Sequence, residues 1–122
     1  MTVERIAGLL NGRDARSIGR PRDIAEQLAD CWSPPAPGEG ETYEISLRLG
    51  FTRSGGVIGA PAVTYIKAGG GDREALRRSI LAAISACAPL RFTPDLGSAI
   101  AGRPFAIRFV ATRAQPADPL SH

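Results

Sequence analysis

The sequence predicts an α+β fold: a three-stranded antiparallel sheet with two helices packed on one face, in the order helix-strand-strand-helix-strand. Residues 43–67 have the pattern of a long β-hairpin, and residues 21–33 and 72–88 have apolar side chains at helical spacing. A third strand is predicted at 104–112, after the second helix. If the first strand lies between the other two, a right-handed crossover through that helix makes both of its neighbours antiparallel to it.

Length and composition indicate one domain of ordinary globular character. The chain has 122 residues, 43% of them hydrophobic and 22% charged. The net charge of +3 comes from arginine, because Lys67 is the single lysine, and it permits an anionic partner without requiring one. We find neither a signal peptide nor an apolar run of the roughly 18 residues that a membrane span needs, so a soluble chain is expected.

The first 20 residues are expected to be a linker with a possible short helix at 2–10, where four apolar residues recur at helical spacing. These residues are Val3, Ile6, Leu9 and Leu10. The first firm helix spans 21–33. It begins at Pro21, which suits a first helical position, and it ends before Pro34.

The hairpin has one apolar face and an irregular second strand. The apolar side chains of its first strand alternate with polar ones, and they are Tyr43, Ile45, Leu47, Leu49 and Phe51. Gly55 and Gly56 supply the positive φ that a tight turn needs. Pro61 cannot donate to a ladder, so the second strand is predicted to be an edge strand or a bulged one.

The second helix has the clearest amphipathic pattern in the chain. Asp72 is its predicted N-cap, and Pro89 ends it. Its apolar stripe consists of Leu76, Ile80, Ala83, Ile84 and Cys87. Residues 95–102 are predicted to be a loop, and residues 113–122 a disordered tail.

These motifs, in this order, resemble the C-terminal domains of the TonB and TolA periplasmic coupling proteins, with the TolA-like domains nearer. The resemblance covers residues 21–112. The matching pieces are Cys31-Trp32-Ser33-Pro34-Pro35, the alternating strand at 43–51, the turn Ser54-Gly55-Gly56-Val57, the run Pro61-Ala62-Val63, and the helix end Ala86-Cys87-Ala88-Pro89-Leu90.

The resemblance implies a non-enzymatic, periplasmic protein-interaction domain that needs no cofactor. Its partners would be other envelope proteins, such as an outer-membrane receptor or a Tol-type protein, in energy transduction, transport or envelope integrity. The membrane anchor and spacer of the family are absent from this chain, so contact with the inner membrane would need an anchor supplied elsewhere.

Residues that could carry catalysis or bind a metal are few. His122, the one histidine, lies in the predicted tail, which leaves no histidine base or two-histidine metal site. The acidic cluster of Glu39, Glu41 and Glu44 fits a solvated loop. The glycines at 69–71 lack the lysine of a phosphate-binding loop, and an N-cap aspartate there repels anions. We therefore expect neither an enzyme nor a metal site.

The two cysteines occupy matched positions on two apolar stripes. Cys31 follows Ile24 by seven residues, and Cys87 follows Ile80 by seven. Two interpretations remain open: buried reduced thiols, or a disulfide that ties the helix ends and suits an oxidising periplasm. We predict the disulfide.

A small basic nucleic-acid-binding domain is the alternative function. Its basic patch would consist of Arg20, Arg22, Arg73, Arg77 and Arg78. RNA binding favours exposed aromatic side chains beside such a patch, but Phe51, Phe105 and Phe109 are expected on buried faces. The arginines fit a solvated helix face better, and nucleic acid is not the predicted partner.

The predicted binding site is the sheet edge formed by the third strand. It consists of Phe105, Ala106, Ile107, Arg108, Phe109, Val110, Ala111 and Thr112. This strand contains no proline or glycine, so its outward amides and carbonyls would be free to pair with an extended peptide. The flanking Arg103, Arg108 and Arg113 would favour an acidic partner segment.

Overall fold

A computed structural model describes residues 1–7 and 17–113 and has an α+β fold. Within these residues the elements are β1 (Thr2–Ala7), β2 (Ser17–Ile18), α1 (Pro21–Asp30), β3 (Tyr43–Phe51), β4 (Val57–Lys67), α2 (Arg73–Cys87), β5 (Arg91–Phe92), α3 (Pro94–Ile100) and β6 (Phe105–Arg113). The main sheet has the order β1-β6-β3-β4, and β2 pairs with β5 in a small parallel ladder.

The predicted three strands form as expected. β3 lies between β4 and β6 and is antiparallel to both, as the crossover through α2 requires. The sheet is nevertheless larger than predicted, because β1 adds a fourth strand that runs parallel to β6. The prediction of a purely antiparallel three-stranded sheet is therefore corrected to a mixed four-stranded one.

The hairpin confirms both the turn and the irregular second strand. Gly55 has a φ of 94°, and its carbonyl oxygen accepts the backbone N–H of Leu90 at 2.9 Å. β4 is the last strand of its sheet, and its three residues 59–61 stand opposite the single residue Leu49. The bulge contains Pro61, so the strand is both an edge and bulged.

One face of the sheet carries the core. The alternating residues of β3 are buried there together with the apolar stripes of α1 and α2. Trp32 is fully buried, packs edge-on against Phe109 with ring centroids 5.5 Å apart, and donates its indole N–H to Ser79 Oγ at 2.9 Å. The largest fully buried side chains are Trp32, Phe51, Phe109, Ile18, Ile24, Leu28, Ile45, Leu47, Leu76, Ile80 and Ile107.

The helix ends follow local chemistry. The carboxylate of Asp72 accepts the backbone N–H groups of Glu74 and Ala75 at 2.9 and 3.1 Å, which confirms the predicted N-cap of α2. α3 was predicted to be a loop, and that prediction is wrong. Its signal is present in the sequence, because Thr93 accepts the N–H of Leu96 and Pro94 occupies the first turn.

The N-terminal prediction is also wrong, because residues 2–7 form a strand and not a short helix. In β1 the helix-facing residues are Val3, Arg5 and Ala7, and the intervening residues are exposed. The apolar spacing that suggested a helix extends to Leu10, beyond the residues that the structure describes. The strand is stabilised by pairing with β6, more than 100 residues away. The expected tail at 114–122 also lies outside the described residues.

Candidate functional site

The strand predicted as a free binding edge forms at Phe105–Arg113, but it is not an edge in this structure. β3 pairs with one side of β6, and β1 occupies the other side in parallel register from Thr2↔Arg108 to Ala7↔Arg113. The prediction of a free edge is therefore corrected. The side of β6 that was predicted to accept a peptide accepts a segment of the same chain.

The backbone of β6 divides its hydrogen bonds between these two neighbours. The N–H of Arg108 donates to the carbonyl oxygen of Met1 at 2.8 Å, and the N-terminal ammonium of Met1 donates to the carbonyl oxygen of Ala106 at 3.0 Å. By the two-residue alternation of a strand, the even-numbered amides of β6 face β1 and the odd-numbered ones face β3. The same alternation directs the amides of Val3 and Arg5 toward β6 and that of Ile6 away from it.

The helix-facing side of β1 lies over α1. Val3 packs against the edge of the core, and Ala7 is buried. Arg5 lies between them, and its Nε is buried without a hydrogen-bond partner among the described residues. Burial lowers the pKa of Arg5. The helix-facing side of β1 therefore carries one long basic side chain, Arg5, between two small aliphatic ones, Val3 and Ala7.

Two clefts accompany this strand along α1. One, of about 420 Å³, is lined by residues that include Val3, Arg22 and Glu26. The other, of about 280 Å³, is lined by Val3, Glu4, Arg5, Glu26, Ala29 and Asp30. The second cleft places the carboxylates of Glu26 and Asp30 in the surroundings of Arg5. The side of α1 that faces β1 is thus acidic where β1 is basic.

The open face of the sheet carries an ion pair at the same edge. Arg108 donates to both carboxylate oxygens of Glu44, at 3.2 Å from Nε and 2.5 Å from Nη2. These hydrogen bonds lower the pKa of Glu44 and raise that of Arg108. Glu4 lies on the same face as Arg108 and two positions further along the neighbouring strand, and its charge also favours the protonated guanidinium. Arg108 thus faces carboxylates from both adjacent strands.

The outer strand at the opposite end of the sheet is β4. An apolar cleft of about 490 Å³ lies between this strand and α2, lined by residues that include Pro61, Leu81 and Ile84. β4 is irregular twice, at 59–61 and again at Thr64. Such bulges interrupt the ladder that an added strand would extend. The β4 edge therefore offers a less regular backbone than β6.

The cysteines form the predicted disulfide. Cys31 and Cys87 are bonded, with Cα atoms 6.0 Å apart, at the C-terminal ends of α1 and α2. Gln27 is buried beside them, with its side-chain amide nitrogen 3.9 Å from each sulfur atom. The bond holds the two helices together over the sheet. It is compatible with a location outside the cytoplasm.

The remaining sequence candidates do not come together as a site. Arg77 pairs with Glu74 at 3.5 Å, and Arg20 pairs with Asp23 at 3.0 Å. Tyr65, 52% exposed on β4, is the one aromatic side chain among the described residues that is more than half exposed. In residues 1–7 and 17–113, no three potential ligands from His, Cys, Asp and Glu are grouped to hold a metal ion. None of the helices in that part of the chain is long and apolar enough to cross a membrane.

The sequence predicted β6, but it did not predict that β1 pairs with it. The sequence of β1 carries no clear strand signal, because the charged Arg5 lies on its half-buried side and the apolar Ile6 on its exposed side. Arg108 was predicted to favour an acidic partner segment, which stays a prediction; in the structure it pairs with Glu44 of its own chain and lies on the same face as Glu4.

Comparison with known proteins gives a family and no further relatives. No curated protein and no solved structure matches the chain. A family model described as "Uncharacterised conserved protein UCP034077" matches residues 14–113. The matched region contains β3, β4 and β6 and starts beyond β1. Because the match covers most of the 122 residues, the chain belongs to this family.

Proposed function

We propose that this chain is a non-enzymatic protein-interaction domain of the TonB/TolA kind, located in the periplasm. It binds an extended segment of another envelope protein by strand addition at β6. In this proposal β1 is an internal occupant of the binding edge, and the partner segment takes its place. The partner contributes main-chain hydrogen bonds to the even-numbered positions of β6.

The observation that carries the proposal is the parallel pairing of β1 with β6. The pairing supports the proposal because one extended segment, β1, already lies along this side of β6 over six register positions. β1 lies outside the residues that match the family model, 14–113, whereas β6 lies inside them. β6 also has no proline or glycine and no irregularity in its register with either neighbour. Main-chain pairing of this kind supplies affinity in strand-addition complexes.

The disulfide and the sequence resemblance support the proposed compartment. Disulfides form and persist in oxidising compartments, of which the periplasm is one. The motifs that resemble TonB and TolA domains include Trp32, which packs on Phe109 of β6 in the centre of the fold. The helix end at Cys87 is a further element of the resemblance, and it carries the disulfide.

A pair of proline variants of the full chain tests the binding edge. Arg5→Pro removes an amide that faces β6 and therefore loosens β1, whereas Ile6→Pro removes an amide that faces away and leaves the ladder intact. The probe is a capped peptide with the sequence of residues 2–7, TVERIA. When β1 competes with the peptide, the apparent affinity for the peptide falls with the fraction of molecules in which β1 is detached from β6. Arg5→Pro should raise that fraction, so this variant should bind the peptide about tenfold more tightly than wild type.

Amide chemical shifts measured during the titration locate the peptide. The proposal expects the largest changes at 105–113, with Ile6→Pro behaving like wild type. Changes centred on β4 or on the helices contradict it. If Ile6→Pro weakens binding and Arg5→Pro does not strengthen it, the peptide adds to the outer edge of β1, which also contradicts it. Nuclease-treated protein is used throughout, so bound nucleic acid does not contribute.

A further inference from the structure

The outer side of β1 is an edge of the main sheet. β1 is the last strand in the order β1-β6-β3-β4, and no other strand in the described part of the chain pairs with that side. Its register with β6 is continuous from Thr2 to Ala7, whereas the other edge strand, β4, is bulged. By strand alternation, the backbone groups of Glu4 and Ile6 point away from β6. A regular row of outward N–H and C=O groups can pair with a further strand.

The two clefts along α1 lie beside this edge. The cleft of about 420 Å³ is lined on the α1 side by Arg22, Ala25 and Glu26. The cleft of about 280 Å³ is lined on that side by Glu26, Ala29 and Asp30. Together they form a groove with β1 as one wall and α1 as the other. In strand addition, main-chain pairing supplies affinity and pockets for alternate side chains supply selectivity. The groove offers both.

The second cleft is acidic, although the chain as a whole carries a net charge of +3. Its lining includes three carboxylates, from Glu4, Glu26 and Asp30, against the one guanidinium of Arg5. Arg22 lines only the first cleft, at the Met1 end of the groove. Glu4 and Glu26 line both clefts, and neither forms an ion pair with another described residue. A cation that enters between β1 and α1 is attracted by both carboxylates.

We propose that the groove between β1 and α1 binds an extended basic peptide segment, which adds to the outer edge of β1 as a fifth strand. One lysine or arginine of the segment lies in the second cleft, beside Glu26 and Glu4. β1 stays paired with β6, so this surface goes beyond the proposed function and does not depend on it. The two binding modes exclude each other on one molecule, because the added strand needs β1 in place.

Three capped peptides that differ at one position test the charge preference on the full chain: TVKVT, TVQVT and TVEVT. TVKVT should bind about fivefold more tightly than TVQVT at low salt, and TVEVT more weakly than both. The differences should shrink as salt is added, because the carboxylates are partly exposed. Glu26→Gln should remove most of the preference for lysine. Glu39→Gln, which lies in the exposed loop before β3, should preserve it.

Hydrogen exchange shows whether the peptide adds to β1. Bound TVKVT should slow the exchange of the outward amides of Glu4 and Ile6, while the amides of Val3 and Arg5, which face β6, stay protected. Ile6→Pro removes one outward amide and leaves the pairing with β6 intact, so it should weaken the binding of TVKVT.

Four results would overturn this inference. Loss of protection at Val3 and Arg5 on adding TVKVT would mean that the peptide replaces β1, as in the proposed function. Equal binding of the lysine and glutamate peptides would remove the charge preference. No binding of TVKVT would remove the site and would leave the proposed function to its own test with TVERIA. Protection of Glu4 and Ile6 that rises with protein concentration, without peptide, would assign this edge to a second copy of the chain.

Discussion

At the scale of single residues, the ion pair between Glu44 and Arg108 is the best-defined electrostatic contact of β6. It joins β3 to β6 on the open face, and Arg108 donates two hydrogen bonds to the carboxylate. Because these bonds favour the ionised carboxylate, the pKa of Glu44 lies below its ordinary value of about 4.5. A lowered pKa in the folded state makes the contact dependent on pH.

The stabilisation from this pair should disappear on the acid side. It is fully present above the ordinary pKa of about 4.5 and is lost as the pH falls through the lower pKa of the folded state. We expect the difference in unfolding free energy between wild type and Glu44→Gln to be constant near neutral pH and to shrink below about pH 4.5. Urea unfolding between pH 7 and pH 3 measures it.

The control for this series is Glu39→Gln, which lies in the exposed loop before β3. It changes the net charge by the same amount and therefore controls for that change. A Glu44→Gln difference that stays constant down to pH 3 would show that the hydrogen bonds from Arg108 do not hold the carboxylate ionised.

At the scale of elements, the β3–β4 turn is fixed to the rest of the fold by one glycine. A Cβ atom on Gly55 would lie 1.8 Å from the carbonyl oxygen of Leu90, and the φ of 94° disfavours any L side chain. The contact joins the tip of the hairpin to the segment that leads into β5. The turn is therefore tied to the small sheet as well as to its own strands.

Gly55→Ala should destabilise the protein by about 3 kcal/mol or more, because the backbone of Leu90 must move and the residue is strained. Gly56→Ala is the matched neighbour. Its Cβ would lie 3.3 Å from the hydroxyl oxygen of Thr52, and its φ is not in the left-handed region. Thermal and urea unfolding of both variants compare them. Equal losses at the two positions would contradict this account of the turn.

The disulfide is the second feature that acts between elements. It closes a loop between the ends of α1 and α2 by joining residues that are 56 positions apart in the sequence. In the chain-entropy model such a loop contributes about 4 kcal/mol of stability. The double substitution Cys31→Ser and Cys87→Ser should lower the unfolding free energy by about that amount, measured in urea. Strain in the folded state would make the loss smaller.

Counting free thiols on the unfolded, unreduced protein provides the direct check on the bond. The protein is alkylated during lysis of the cells, so that later oxidation does not contribute. We expect no reactive thiol. Two reactive thiols would show that the disulfide is absent, and the proposed compartment would then lose the support that the disulfide gives.

At the scale of the whole molecule, the sequence predicted the β3–β4 hairpin and β6, whose patterns can be recognised from neighbouring residues. The alternation from Tyr43 to Phe51 and the glycines after it define the hairpin, and the crossover rule makes β6 antiparallel to β3 once the two are neighbours. The seven-residue spacing from Ile24 and Ile80 predicted the cysteine pair. These features depend on nearby residues or on a general rule of chain topology.

The fourth strand, β1, depends neither on nearby residues nor on a general rule of chain topology. Residues 2–7 lack the apolar alternation of a strand, and they are extended because they pair with residues 108–113 at the other end of the chain. The acceptor strand of the candidate site was therefore predictable from its own pattern. Its occupant was not, because a free edge and a filled edge have the same sequence in β6 itself.

Hydrogen exchange of the β6 amides in the Arg5→Pro chain tests most directly whether this edge accepts a strand in exchange for β1. The amides of Arg108, Val110 and Thr112 face β1, while those of Ile107, Phe109 and Ala111 face β3. We predict that Arg5→Pro speeds exchange of the first three by roughly 100-fold or more and that added TVERIA peptide restores their protection. The other three should stay protected throughout. Slow exchange at all six amides in the variant, or no recovery with the peptide, would contradict strand exchange at β6.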